Sequence, residues 1–385
     1  MGKQKIYQPQ YYKKFHCIAD ECKENCCSHA WLIVVDKDTY DKYAGLEEEG
    51  REAILKWISV TNQDPFAAQL ILGEKSCCQF LDERGRCNIQ LKYGHGFLCH
   101  TCRSYPRRFC YVAGETETFL ELSCEAVAKL VLFDQNIMRF ETIERESDER
   151  MIWNGILRPE MYTSAENAVE IFWKLRTASI FIVQSRRYRL SVRMLILGML
   201  IKQASDILAE EKYPEVVQLA KTFIDRVESN YFDSLVGQKP AGGDLDVGFV
   251  NKMLKDLELK EYKLLNRCIS LAREGLGVKP DEDPPDGFDE EYQKDYETYF
   301  SDKEYVLENY IVSHIFSDGF PFNYIHQESI MKNYRELLVK YSLVKFLLVG
   351  ISKRYFKYDK RKVVECVSSF SRAYDHVRGG ALILK

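Results

Sequence analysis

Eleven of the thirteen cysteines in this 385-residue chain lie between Cys17 and Cys124, leaving only Cys268 and Cys366 for the rest. Thiols this crowded either cross-link the chain or hold a metal. The opening Met-Gly-Lys-Gln-Lys-Ile-Tyr carries charge with no apolar run behind it, so no secretory leader is predicted, and Ile6 stands where a myristoylation site needs Ser or Thr. A cytoplasmic protein is expected. Cytoplasmic thiols stay reduced, so dense cysteine there points to metal binding or catalysis rather than to a disulfide framework.

The cysteines form two groups: Cys17-x4-Cys22-x3-Cys26-Cys27, then Cys77-Cys78, Cys87, Cys99-x2-Cys102 and Cys124. Thiolates at such short spacing converge on one soft metal or cluster without long intervening loops. The candidate ligands are Cys17, Cys22, Cys26, Cys27, Cys78, Cys87, Cys99, Cys102 and Cys124, more than one centre needs. Zinc commonly uses paired Cys-x2-Cys knuckles; with one such pair and otherwise irregular spacing, iron–sulfur is favoured over zinc. His16, His29, His95 and His100 stand beside cysteines, but a single histidine more often makes an ordinary hydrogen bond. Cys77 and Cys110 read equally well as small buried residues, and Cys268 and Cys366 read as core. After the Cys-x2-Cys pair come Arg103, Arg107 and Arg108, which form either a bidentate clamp for a carboxylate or phosphate or a solvated basic turn.

A chain of this length predicts two or three domains. Net charge −4 and a pI near 6.1 give no global field for nucleic acid, and Arg186-Arg187-Tyr188-Arg189 is only a small basic patch, so no nucleic-acid partner is expected. The most apolar window, 190–201, contains Arg193 and is followed by Lys202, too short and too charged to span a membrane. Apolar residues at three- and four-residue spacing across 165–236, 290–315 and 330–354 predict amphipathic helices, and 237–243 and 277–287 read as loops. The predicted fold is mainly α: an irregular cysteine-rich metal domain at 1–135, then all-helical domains at 136–245 and 246–385, with no Rossmann-type sheet.

Tyr12-x2-Phe15-x-Cys17-x4-Cys22-x3-Cys26-Cys27, Phe80-Leu81-Asp82-x4-Cys87, Cys99-x2-Cys102-Arg103-x-Tyr105-Pro106-Arg107-Arg108 and Leu122-Ser123-Cys124 together resemble the bacterial flagellin lysine-N-methylase (FliB) family. The likeness continues in Glu308-Asn309-Tyr310 and Phe320-Pro321-Phe322. It implies an enzyme that transfers methyl groups from S-adenosylmethionine to the ε-amino groups of surface lysines of flagellin, and that carries a 4Fe-4S cluster in its cysteine-rich domain. The Gly-rich strand-to-helix turn of nucleotide-binding methyltransferases is absent, as is the Cys-x3-Cys-x2-Cys run of radical enzymes, which favours polar transfer. Polar transfer needs a neutral lysine in line with the methyl–sulfonium bond. Tyr105 and Glu308 are the candidate bases, and Arg103, Arg107 and Arg108 the candidate partners of the cofactor's carboxylate. The cluster would either offer an open iron to the cofactor or brace the loops. The competing expectation is a non-catalytic metal-binding or redox-sensing protein, iron–sulfur or zinc, with a helical partner-binding module.

Overall fold

The computed structural model describes residues 3–27, 32–63, 66–73, 77–146, 154–163, 166–235, 245–280, 282, 284–324 and 329–376. His29 and the 237–243 loop lie outside them. In chain order the first elements are β1 (Lys3–Pro9), β2 (Val34–Asp36), α1 (Lys37–Ala44), α2 (Glu48–Leu55), β3 (Ile58–Gln63), β4 (Phe66–Leu70), α3 (Asn88–Tyr93), α4 (His100–Ser104), β5 (Arg107–Val112), β6 (Glu115–Leu120), α5 (Glu125–Leu132), β7 (Phe140–Glu146) and β8 (Gly155–Leu157). Helices follow: α6 (Ala168–Gln184), α7 (Leu190–Ala209), α8 (Tyr213–Glu228), α9 (Val247–Met253), α10 (Lys263–Leu276), α11 (Phe288–Phe300), α12 (Glu304–Ser317), α13 (Ile330–Tyr355) and α14 (Lys360–His376). The chain is mainly helical, and among the described residues there is no doubly wound sheet, as its periodicity predicts.

Two compact units emerge. A cysteine-rich unit holds Phe15–Arg108 and Leu120–Ala128; a helical unit holds Met1–Lys14, Phe109–Phe119 and Lys129–Lys385. The expected borders at 135 and 245 follow composition, whereas these units follow compactness.

The expectation of an irregular amino-terminal region needs one correction. β1, β5 and β6 from that region join β7 and β8, from the start of the stretch expected to be all-helical, in a five-stranded sheet in the order β7-β1-β6-β5-β8. β1 pairs in parallel with β6, placing Ile6 opposite Thr116, and antiparallel with β7 from Lys3↔Glu146 to Pro9↔Phe140. The β5–β6 turn has Ala113 and Gly114 both at positive φ (49° and 90°), the twist that suits a two-residue hairpin. Alternation failed to reveal the sheet because its central strand is covered on both faces: Thr116 to Leu120 are all buried.

In the helical unit α13 runs through the core and is buried along most of its length. α10 and α13 cross at Gly275 and Gly350, where a Cβ on Gly275 would fall 2.0 Å from the Gly350 carbonyl oxygen. Only hydrogen at that position lets the backbones meet. The cysteine-rich unit has its own core, in which Ile33, Val35, Tyr43, Ile54, Ala68 and Phe80 pack around the three-stranded sheet β2-β4-β3.

Candidate functional site

Ten cysteines fall in the cysteine-rich unit, and all are free thiols. Cys78 and Cys99 belong to its buried core, and Cys27, Cys87 and Cys102 pack against it. Local structure brings these five together. The Cys78 amide donates to the Cys27 carbonyl at 2.9 Å. The Asp82 carboxylate closes the turn before Cys87 by accepting the amides of Arg84 (2.9 Å) and Arg86 (2.8 Å). Asp36 accepts the Thr39 amide at 3.1 Å, capping α1, and the His100 amide at 2.7 Å, which ties the start of α4 to β2. Burial works against the charge on Asp36, but these amide hydrogen bonds hold its carboxyl below the usual range.

A second neighbourhood contains Cys17, Cys22 and Cys124. Glu125 accepts the amides of Lys23 (3.1 Å) and Glu24 (2.7 Å), fixing the Cys22–Cys26 loop. Cys26 joins the two neighbourhoods: its Sγ lies 3.9 Å from that of Cys27, and its charge also acts on Cys22 and Cys124.

Electrostatics explain what this arrangement wants. Burial pushes the Cys22 thiol up to about 12, with Glu125 adding to it, and pushes Cys78 and Cys124 up to about 11. Cys27 is driven up by its hydrogen bond to Cys26 and by burial. The hydrogen bond between Cys99 and Cys102 lowers the Cys99 thiol and raises that of Cys102. The Cys102 and Thr101 amides at the start of α4 also favour the Cys99 thiolate. Crowded, desolvated sulfurs repel each other as thiolates, and a soft cation removes that penalty.

Among the described residues no three His, Cys, Asp or Glu side chains converge as ligands of a single ion.

The basic segment divides into three different environments. The Arg107 guanidinium lies 4.9 Å from the centre of the Phe15 ring, and Arg108 pairs with Glu121 at 3.4 Å. Arg103, on α4, has no ion-pair partner among the described residues. Tyr105 caps the end of α4 just before the cis peptide bond to Pro106, with its hydroxyl 3.1 Å from the Ser123 hydroxyl.

Glu308 lies in the other unit, on α12, fully buried. Arg186 and Arg193 occupy both its oxygens at 2.8 and 2.7 Å. No lone pair is left facing solvent to receive a substrate proton, which makes Glu308 a structural anchor between α12 and the α6–α7 corner.

Two features of the helical unit escaped sequence reasoning. In the first, buried Lys340 pairs with Asp318 (2.8 Å) and Asp375 (3.1 Å), and His314 Nδ1 lies 3.2 Å from Asp318. The i,i+4 spacing of His314 and Asp318 was its one visible signal. The second is a cleft of about 340 Å3 between the Gln10–Lys14 turn, the end of α5, the 134–139 loop and Asn309 of α12. Asn309 stood inside a quoted motif, but nothing in the sequence joined it to Lys14 or Arg139.

A family model described as the FliB lysine N-methylase C-terminal domain matches residues 176–379, more than half of the chain. The chain belongs to the FliB lysine N-methylase family. It is similar to a protein named lysine-N-methylase from Salmonella typhimurium, 27% identical over 136 residues, which is 34% of each chain. A lysine-N-methylase of Salmonella choleraesuis matches to the same extent. The flagellar biosynthetic protein FliU of Salmonella muenchen is 27% identical over 136 residues, 34% of this chain and 80% of FliU. The match thus spans about a third of the length of the two lysine-N-methylases. No solved structure matches the chain.

Proposed function

We propose that the protein is a protein-lysine N-methyltransferase that moves a methyl group from S-adenosylmethionine to surface lysines of flagellin, and that its cysteine-rich unit holds a 4Fe-4S cluster. The observation that carries the reading is the family match, which covers the helical unit from within α6 to the end of α14. The names of the relatives support lysine methylation and a flagellar setting. Support for the cluster comes from Cys27, Cys78, Cys87, Cys99 and Cys102 packed on one core. These five supply the four ligands such a cluster needs, with Cys17, Cys22, Cys26 and Cys124 as the reserve beside them.

S-adenosylmethionine supplies an electrophilic methyl group when bound; the chain must supply position and a route for one proton. Arg107 and Arg108 are engaged, which leaves Arg103 as the cation of the basic segment to meet an acidic group of the flagellin substrate. Tyr105, its hydroxyl 3.1 Å from that of Ser123, is the candidate to exchange a hydrogen bond with an incoming amine. With both oxygens held, Glu308 positions helices instead.

The test is anaerobic purification followed by an absorption spectrum, iron and sulfide analysis, and transfer of labelled methyl from S-adenosylmethionine to purified flagellin. Brown protein absorbing near roughly 400 nm, with label on flagellin lysines, is expected. Colourless zinc protein that leaves flagellin unlabelled would return the chain to the reading of a non-catalytic metal-binding protein with a helical partner-binding module.

A further inference from the structure

The cleft of the helical unit has the volume of a cofactor site, about 340 Å3, at the lower end of the roughly 300–1,000 Å3 usual for small-molecule pockets. Its lining is mixed in a specific way. Leu130, Val131, Ile137 and Met138 are apolar, and Ile137 is 42% exposed. At the rim stand two cations, Lys14 and Arg139, both exposed and neither in an ion pair among the described residues. Asp134 adds one carboxylate.

Asn309 forms the inner wall. It is 1% exposed, and its side-chain amide donates to the carbonyls of Val131 (3.1 Å) and Asp134 (2.7 Å), which fixes its orientation. Its Oδ1 is buried and has no hydrogen-bond partner. An acceptor left in that state is costly, and a ligand N–H or O–H that reaches it removes the cost.

We propose that this cleft binds S-adenosylmethionine, an inference that rests on the methyltransferase reading. The apolar wall takes the flat face of the adenine, Asn309 Oδ1 takes a donor of the nucleoside, Asp134 takes a ribose hydroxyl or the ammonium, and Lys14 or Arg139 takes the carboxylate. Arg103 is then left for the protein substrate, and the cysteine-rich unit braces its own loops rather than presenting iron to the cofactor.

Calorimetric titration of the anaerobically purified full chain with S-adenosylmethionine and with S-adenosylhomocysteine tests this. The variants are the rim pair Lys14→Ala/Arg139→Ala, the cleft-filling Ile137→Arg, and Arg103→Ala. All four positions are outside the buried core, and circular dichroism checks each fold. Both cleft variants should bind at least roughly tenfold more weakly than the parent, with Arg103→Ala unchanged. Parent-like binding by both cleft variants, or loss in Arg103→Ala alone, overturns the cleft while leaving the methyltransferase reading intact. A parent chain that binds neither compound sinks both.

Discussion

Arg193 donates to Glu308 across 2.7 Å with neither side chain more than 2% exposed, and it reaches Glu304 on the same helix at 3.1 Å. Removing one member of a buried pair leaves an uncompensated charge, which typically costs about 3–5 kcal/mol. Arg193→Met should therefore destabilise the protein by about that amount in urea unfolding. Glu308→Gln should be milder, because the amide oxygen still accepts a hydrogen bond. The anchoring role is contradicted if Glu308→Gln leaves stability unchanged and abolishes methyl transfer.

The Lys340 cluster sets a pH window. Burial alone would push Lys340 down, but the Asp318 and Asp375 carboxylates overcome it and hold the ammonium well above its ordinary value. Burial likewise opposes the charge on Asp318, yet Lys340 and His314 hold its carboxyl well below the usual range. A depressed carboxylate stabilises the fold above the unfolded value of about 3.9, and that stability is lost as pH falls through the lower folded value. A raised lysine stabilises below the unfolded value of about 10.4, and that stability is lost as pH rises through the higher folded value. Melting temperature should be level between about pH 5 and 9 where Lys340 and Asp318 are concerned. Lys340→Met should lower it across that range by an amount that shrinks toward acid, where Asp318 protonates.

Much of this architecture was legible. Leu337, Leu338, Tyr341, Val344, Leu347 and Leu348 mark one face of α13, and all are buried. What periodicity could not show is that Lys340 and Lys345 are buried too. Lys340 finds two carboxylates, and Lys345 sits 4.2 Å from the centre of the Tyr296 ring, so the helix is enclosed on its charged side as well. The parallel pairing of β1 with β6 joins residues about 110 positions apart, such as Ile6 and Thr116, and carries no local signal. Glu308 was visible as part of a motif, but its role depended on two arginines 122 and 115 residues away. Cysteine crowding stood out because it is a matter of spacing along the chain; which thiols share a neighbourhood is a matter of folding.

The two cysteine neighbourhoods should separate under mutation. Cys99→Ser or Cys102→Ser removes a sulfur from the core of the cysteine-rich unit and should abolish bound iron and sulfide and loosen that unit to limited proteolysis. Cys268→Ser, in the helical unit, should leave iron and sulfide at parent levels. Chelation with oxidant should mimic the first pair. Iron retained in Cys99→Ser and in Cys102→Ser would shift the centre to Cys17, Cys22, Cys26 and Cys124.

The sharpest division between structure and chemistry falls on Tyr105. Its hydroxyl exchanges a hydrogen bond with Ser123, a contact worth about 0.5–1.5 kcal/mol of stability. Tyr105→Phe keeps the ring packed and removes only the oxygen, so a purely structural tyrosine should lose no more than that and methylate flagellin at near-parental rate. A tyrosine that exchanges the lysine proton should instead lose about 10²–10⁴ in kcat with stability and S-adenosylhomocysteine affinity little changed. Ser123→Ala supplies the control, since it leaves the phenol in place and removes the neighbouring hydroxyl. A smaller kcat loss in Ser123→Ala than in Tyr105→Phe is expected, because orientation is then loosened while the proton-accepting oxygen remains. Equal and small losses in both would reduce Tyr105 to the brace that holds the end of α4 beneath Cys99 and Cys102.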